Sequence, residues 1–241
     1  MRPAELAYIR AGVVPGRTAE PATWRAILGQ RTILLLAASY FTYGYVAYIF
    51  FTWFFKYLSS VRGLDLKSSA LYGMLPFIAM AVASPLGGWI ADVVTARAGP
   101  RRGRCWTAAA ALSAAALFVA LATQVADARL ATLILAGGAG ALYLSQSAFW
   151  TLSADIGGPS AGSVAGVMNM FNQIGGVATA SLTPLIADRF GWTCSFVFAA
   201  ALCALGALAW LFIDPDFRLD RRARGPARDW PAGGTIGAAA R

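Results

Sequence analysis

Charged side chains leave six long gaps in this chain. Asp, Glu, Lys and Arg are absent from Thr32–Phe55, Ser68–Ala91, Cys105–Ala126, Leu130–Ala154, Ile156–Ala187 and Phe190–Ile213. A helix needs about 20 apolar residues to cross the hydrocarbon of a bilayer, and each gap is that long. The fifth is longer, but it contains GGPSAGS (Gly157–Ser163), which reads as a turn. Charged residues make up 13% of the chain, against roughly 25% in a soluble domain. Membrane strands would alternate apolar and polar positions over segments of about 10 residues, which these runs do not. The expected fold class is all-α: a polytopic membrane protein with six transmembrane helices in residues 31–213. Residues 1–30 read as a polar leading segment, with Pro21–Arg31 as a short amphipathic entry to the first span. Residues 214–241, rich in Arg, Pro and Gly, read as a disordered tail.

Orientation follows from the basic residues. Six spans put both termini on one side. That side holds Arg2, Arg10, Arg17, Arg25, Arg31, Arg97, Arg101, Arg102, Arg104, Arg218, Arg221, Arg222, Arg224, Arg228 and Arg241. The other side holds Lys56, Arg62, Lys67, Arg129 and Arg189. Both termini are therefore expected in the cytoplasm, with the protein in a cell (inner) membrane. The net charge of +9 reads as topology and contact with lipid headgroups. No basic stretch is interleaved with aromatic residues, so no nucleic-acid partner is expected. Lysine occurs only at Lys56 and Lys67, and that bias with abundant Ala suits a bacterium with GC-rich DNA.

The chemistry-bearing residues exclude several classes. Histidine is absent, which removes the commonest general base and metal ligand. Cys105, Cys194 and Cys203 have no metal-binding spacing. No cofactor and no metal site is expected. No Asp, Glu, Lys or Arg lies deep in a span, so there is no intramembrane proton carrier and nothing to activate a serine. The chain is not expected to be an enzyme.

The polar residues inside the spans are the candidates for function. In GVMNMFNQIGG (Gly166–Gly176), Asn169, Asn172 and Gln173 stand at i, i+3 and i+4 and share one helix face. Amides are expensive to leave unpaired in hydrocarbon. They line a polar cavity as donors and acceptors for a hydroxylated or carboxylated solute, or they glue helices together. YFTYGYVAYIFFTW (Tyr40–Trp53) places Tyr40/Tyr43 and Tyr45/Tyr48 in two ladders. Their hydroxyls serve either a sugar-like solute or neighbouring helices. Trp53, Phe54 and Phe55 read as interfacial belt residues. SQSAFWTLSAD (Ser145–Asp155) brings Gln146, Ser147 and Trp150 within one turn of each other, a set suited to a sugar ring or to helix packing. Asp92 and Asp155 end their spans beside the arginine loop, as halves of an ion-pair latch or as hydrated helix ends. The second and fifth spans both finish on Ile-Ala-Asp, at Asp92 and Asp188. These ends fall on opposite sides, as in an inverted repeat of three plus three helices.

Several motifs in order carry a family likeness. PAELAYIR (from Pro3) resembles the end of a central cytoplasmic loop, and AYIFFTWFFKYL (from Ala47) a seventh helix, with Phe55 where Pro is usual. GGWIADVVTARAGPRRGR resembles a Gly-x-x-x-Asp loop with basic residues, at Gly88, Asp92, Arg101 and Arg102. FWTLSADIGGPSAGSVAGVMNMFNQIGG resembles the tenth and eleventh helices, and LFIDPD the exit of the twelfth. Over residues 5–216 the chain thus resembles the C-terminal half of a major facilitator superfamily transporter. It is closest to the anion:cation symporters of hexuronate, galactonate and glucarate.

The resemblance implies a sugar-acid site between two six-helix halves. Asn169, Ser147 and Trp150 would contact substrate, with Gln173, Asn172, Gln146, Tyr48 and Tyr45 around them. Gly88, Asp92, Arg101, Arg102 and Asp155 would serve structure and gating. The substrate-binding Arg and the proton-coupling acids would lie in an N-terminal half, on the same or a separate chain, and the amides here would form the neutral side of the cavity. The implied partners are a small organic anion, the lipid bilayer and that half. The alternative is a non-transporting six-helix fragment or a homodimerising scaffold.

Overall fold

The computed structural model describes residues 22–219. The elements are α1 (Trp24–Leu28), α2 (Arg31–Thr52), α3 (Leu66–Gly73), α4 (Leu75–Ala98), α5 (Thr107–Ala122), α6 (Ala128–Leu144), α7 (Gln146–Gly157), α8 (Ala161–Phe190) and α9 (Trp192–Leu211). Single π turns lie at Tyr57–Val61 and Arg101–Trp106. No strand occurs among the described residues. The parts of the leading segment and tail at residues 1–21 and 220–241 lie outside them.

Among the described residues, five continuous helical stretches are long and apolar enough to cross a membrane. One of these, Ala128–Phe190, reverses at Gly158, where φ is 50° and ψ is −117°. Only glycine adopts that backbone without strain, and the chain then runs back as α8 along α7. The stretch therefore makes two crossings and the bundle six: α2, α3–α4, α5 with its π turn, α6–α7, α8 and α9. The second crossing is interrupted at Met74 because Pro76 has no N–H for the Tyr72 carbonyl. Many large apolar side chains point outward, among them Leu71, Val82, Trp89, Leu117, Val177 and Leu205. Water would not tolerate so broad an apolar surface, whereas lipid solvates it.

Helix pairing reveals the internal repeat. The strongest packing is α2 on α8, α4 on α6, α5 on α9, α5 on α6 and α2 on α9. Exchanging the first three crossings with the last three maps this set onto itself, as a three-plus-three repeat requires. Glycines stand at the equivalent crossings. Gly44 abuts the Asn172 carbonyl and Gly175 the Phe41 carbonyl; Gly87 abuts the Leu144 carbonyl and Gly140 lies against Ala79. A Cβ at Gly44, Gly87 or Gly175 would overlap the facing backbone, so these small residues set how closely the helices approach. The Ile-Ala-Asp echo is out of register with this repeat. Asp92 follows Gly87 by little over one turn, and Asp188 follows Gly175 by more than three.

Both ends of the bundle are tied down. On the side opposite the termini, Arg62 donates from Nε to the Tyr57 hydroxyl at 2.7 Å. Its two terminal nitrogens donate to the carbonyls of Val125 (2.7 Å), Ala126 (3.3 Å) and Ala122 (3.0 Å). One guanidinium thus satisfies the orphan carbonyls at the end of α5. On the terminal side, the Ala22 amide donates to Ser160 Oγ at 2.7 Å, and Ile27 is fully buried. Ile213 and Leu219 are also buried, so residues 214–219, which composition assigns to the tail, fold back against the bundle. Phe54, expected in the interfacial belt, is buried too. It lies one turn beyond Phe50 on the same face, with ring centroids 5.4 Å apart, while Phe55 stays exposed.

Candidate functional site

The amide stripe of α8 meets α2 at the crossing built by Gly44 and Gly175. The Tyr48 hydroxyl donates to Oε1 of Gln173 at 2.6 Å, and Asn172 Nδ2 approaches the same oxygen at 3.5 Å. Gln173 Oε1 therefore accepts twice, which leaves the Gln173 NH2 group as an outward donor. Asn172 Oδ1 is buried without a hydrogen-bond partner. Asn169, one turn earlier, is exposed and makes no hydrogen bond among the described residues.

Across α2 the stripe continues onto α7 and α4. Tyr40 stacks on Tyr43 with centroids 5.0 Å apart and meets Trp150 edge-on at 6.4 Å. Tyr43 leans on Tyr143 at 5.7 Å, and the two hydroxyls interact. Gln146 accepts from Ser84 Oγ at 3.2 Å. Ser147 faces Gly88, and its hydroxyl is buried without a partner. Trp150 is exposed at the edge of this group. The two bridging pairs, Tyr48–Gln173 and Gln146–Ser84, occupy equivalent crossings of the repeat.

Tyr45 stands apart. It is fully buried, its hydroxyl lies 3.2 Å from Thr183 Oγ1, and its ring meets Phe198. Its backbone carbonyl accepts from Thr179. Tyr45 thus joins α2, α8 and α9 three residues before Tyr48, with its hydroxyl at Thr183 and not at Gln173. The structure brings together Asn172, Gln173 and Tyr48, with Asn169 one turn away. It brings together Gln146, Ser147 and Trp150 as well. It adds Tyr143 and Ser84, together with Tyr40 and Tyr43, whose hydroxyls the sequence offered either to a sugar-like solute or to neighbouring helices. Tyr40 and Tyr43 were visible there as a ladder; Ser84 and Tyr143 carried no signal.

Among the described residues, the buried side-chain atoms without a hydrogen-bond partner include Ser147 Oγ and Asn172 Oδ1. Each such atom costs about 1–3 kcal/mol. Ser147 and Asn172 are themselves partly exposed, beside the exposed Trp150, Asn169 and Gln173.

The charged end of the bundle sits on the terminal side. Asp155 at the end of α7 pairs with Arg104 in the π turn, and both side chains are half-buried. Asp92 is exposed and adds its field at Arg104. Arg101 donates to the Leu211 carbonyl at 3.3 Å, and Arg102 is exposed. Gly88 lies beside Ser147 rather than beside the ion pair. The arginine on the acid is thus the fourth of the loop, a residue the sequence reading counted but gave no partner.

Six crossings related three to three, with a polar strip on one side and an ion pair at one end, match the repeat architecture from which many membrane transporters are built. The comparisons give the family. The model of the Major Facilitator Superfamily matches residues 3–180 and 93–234, and the chain belongs to that family. It is 33% identical over 199 residues to a probable sulfoacetate transporter of Cupriavidus necator, covering 82% of this chain and 46% of that protein. It is 30% identical over 210 residues to the hexuronate transporter of Bacillus subtilis (85% of this chain, 49% of the relative). It is 27% identical over 218 residues to a probable L-galactonate transporter of Escherichia coli (87% and 47%). The chain spans about half the length of these curated relatives. They are transporters, not enzymes, and the fold is all-α and multi-pass.

Proposed function

We propose that this chain forms the C-terminal half of a secondary transporter for a small organic anion such as a hexuronate, an aldonate or an aldarate. The strip of Asn169, Asn172, Gln173, Tyr48, Gln146, Ser147 and Trp150 is the neutral side of its site. The observation that carries this reading is the exposed amide face of α8, where Asn169 is unbonded and Gln173, its carbonyl taken by Tyr48, presents a free NH2 group. An N-terminal six-helix half, on the same or another polypeptide, supplies the cation for the substrate carboxylate and the acids that couple transport to protons. The arginine excess on one side supports an orientation with both termini in the cytoplasm, in which the Arg104–Asp155 pair closes the cytoplasmic end. Relatives that carry hexuronate, galactonate and sulfoacetate support an anionic substrate. The scaffold alternative gains no support from these three relatives, which are transporters.

The test is uptake into proteoliposomes holding the protein with its N-terminal half. Labelled galacturonate, galactonate and glucarate are offered with and without an inward proton gradient. Saturable uptake of at least one of them, raised by the gradient, is the expected result. Uptake of none, or uptake indifferent to the gradient, counts against the substrate class or the coupling respectively.

A further inference from the structure

A groove of about 350 Å³ runs between the terminal-side ends of α5 and α9, well away from the polar strip. Its floor is Ala109, Ala110, Ala204 and Ala207, and its walls are Trp106 and Leu208. Trp106 and Leu208 are exposed, so the groove opens outward on the apolar surface of the bundle. It extends about two turns inward from the end of each helix, roughly a third of the hydrocarbon thickness. The opening near the helix ends is charged. Leu211 also lines the groove, and Arg101 donates a single hydrogen bond, from Nη2 to the Leu211 carbonyl. A guanidinium has five N–H donors in a fork that fits phosphate. Arg102 beside it is exposed and makes no hydrogen bond or ion pair among the described residues. Asp214 and Asp216 lie near Cys105 in the same region, but Arg101, Arg102 and Arg218 outnumber them.

We infer that this groove binds one anionic phospholipid. The acyl chain lies along the alanine floor, with Trp106 at the headgroup level where indoles prefer to sit. The phosphodiester is held by Arg101 and Arg102. Under the proposed orientation the lipid belongs to the cytoplasmic leaflet. It sits one π turn from Arg104, so its occupancy bears on the same loop that pairs with Asp155.

The experiment uses the full chain purified in mild detergent and native mass spectrometry with added phosphatidylglycerol or phosphatidylcholine. The wild type is expected to retain one phosphatidylglycerol in preference to phosphatidylcholine. Filling the groove with Ala110→Leu and Ala204→Leu, both at exposed positions, abolishes retention of either lipid. Arg101→Gln lowers phosphatidylglycerol retention about fivefold, the effect of one arginine at a membrane surface, and leaves phosphatidylcholine unchanged. Thermal unfolding midpoints within a few degrees of wild type show that the variants are folded, and Arg101→Gln carries the test if the leucine pair is not. Retention equal for both lipids and indifferent to these changes would mean bulk lipid only and would overturn the site. The result is independent of transport, so its failure leaves the substrate reading untouched.

Discussion

Tyr48 on α2 donates its hydroxyl to Gln173 Oε1 on α8 at 2.6 Å. The contact depends on Gly176, where a Cβ would stand 2.8 Å from the tyrosine ring. It fixes which end of the Gln173 amide is free in the proposed site, because the carbonyl is occupied and the NH2 group is not. Tyr48→Phe removes the donor while keeping the ring. The lost bond is worth about 1 kcal/mol, so the substrate KM is expected to rise about fivefold with little change in folded yield. An unchanged KM would show that Gln173 does not face the solute.

The glycine crossings set the spacing of the bundle. Gly87→Ala and Gly175→Ala force a methyl group into the Leu144 and Phe41 carbonyls. Overpacking of this kind costs about 1–3 kcal/mol. Gly166→Ala, on the same helix as Gly175 but with nothing near its Cβ position, is expected to be neutral or slightly stabilising. Thermal unfolding in detergent separates the three: two midpoints fall and one holds.

The Arg104–Asp155 pair joins α7 to the loop before α5. Both partners are partly exposed, so after screening the pair is worth about 1–2 kcal/mol, between an exposed and a buried one. Asp155→Asn is expected to slow transport more than it lowers the unfolding midpoint if the pair closes one end of the pathway, as proposed. The swap of Arg104→Asp with Asp155→Arg recovers part of the lost rate. A swap no better than either single change would remove the latch role.

How much of this was legible in the sequence depends on what each feature rests on. The crossings follow from charge spacing, which the membrane enforces strictly. The faces of the crossings do not. α2 is apolar nearly all round, so nothing in its pattern separates Tyr45, buried against Thr183, from Tyr48, which meets Gln173. The latch was half legible. Asp155 stood out as an acid at a helix end, but three arginines within four residues offered it partners. The π turn at Arg101–Trp106 selects Arg104 and sends Arg101 to Leu211. The inverted repeat was legible only as a three-residue echo in the wrong register. Its real carriers are glycines whose meaning appears once the facing backbone is known.

Arg62 reaches Tyr57 and three carbonyls around the end of α5. Its planar fork makes all of these contacts at once, which an ammonium group does not reproduce. Arg62→Lys is therefore expected to lose nearly as much stability as Arg62→Ala, about 2 kcal/mol. Equal midpoints for Arg62→Lys and wild type would show that charge alone suffices.

The most direct measurement is the affinity of the complete transporter for its organic anion, with and without Asn169→Ala. Asn169 is exposed on the strip and bonds to nothing else among the described residues, so folding does not depend on it. A hydrogen bond to a charged solute is worth about 1.5–3 kcal/mol, so the expected result is a loss of affinity of at least tenfold with wild-type yield. Wild-type affinity in that variant would contradict the claim that the amide face is one wall of the site.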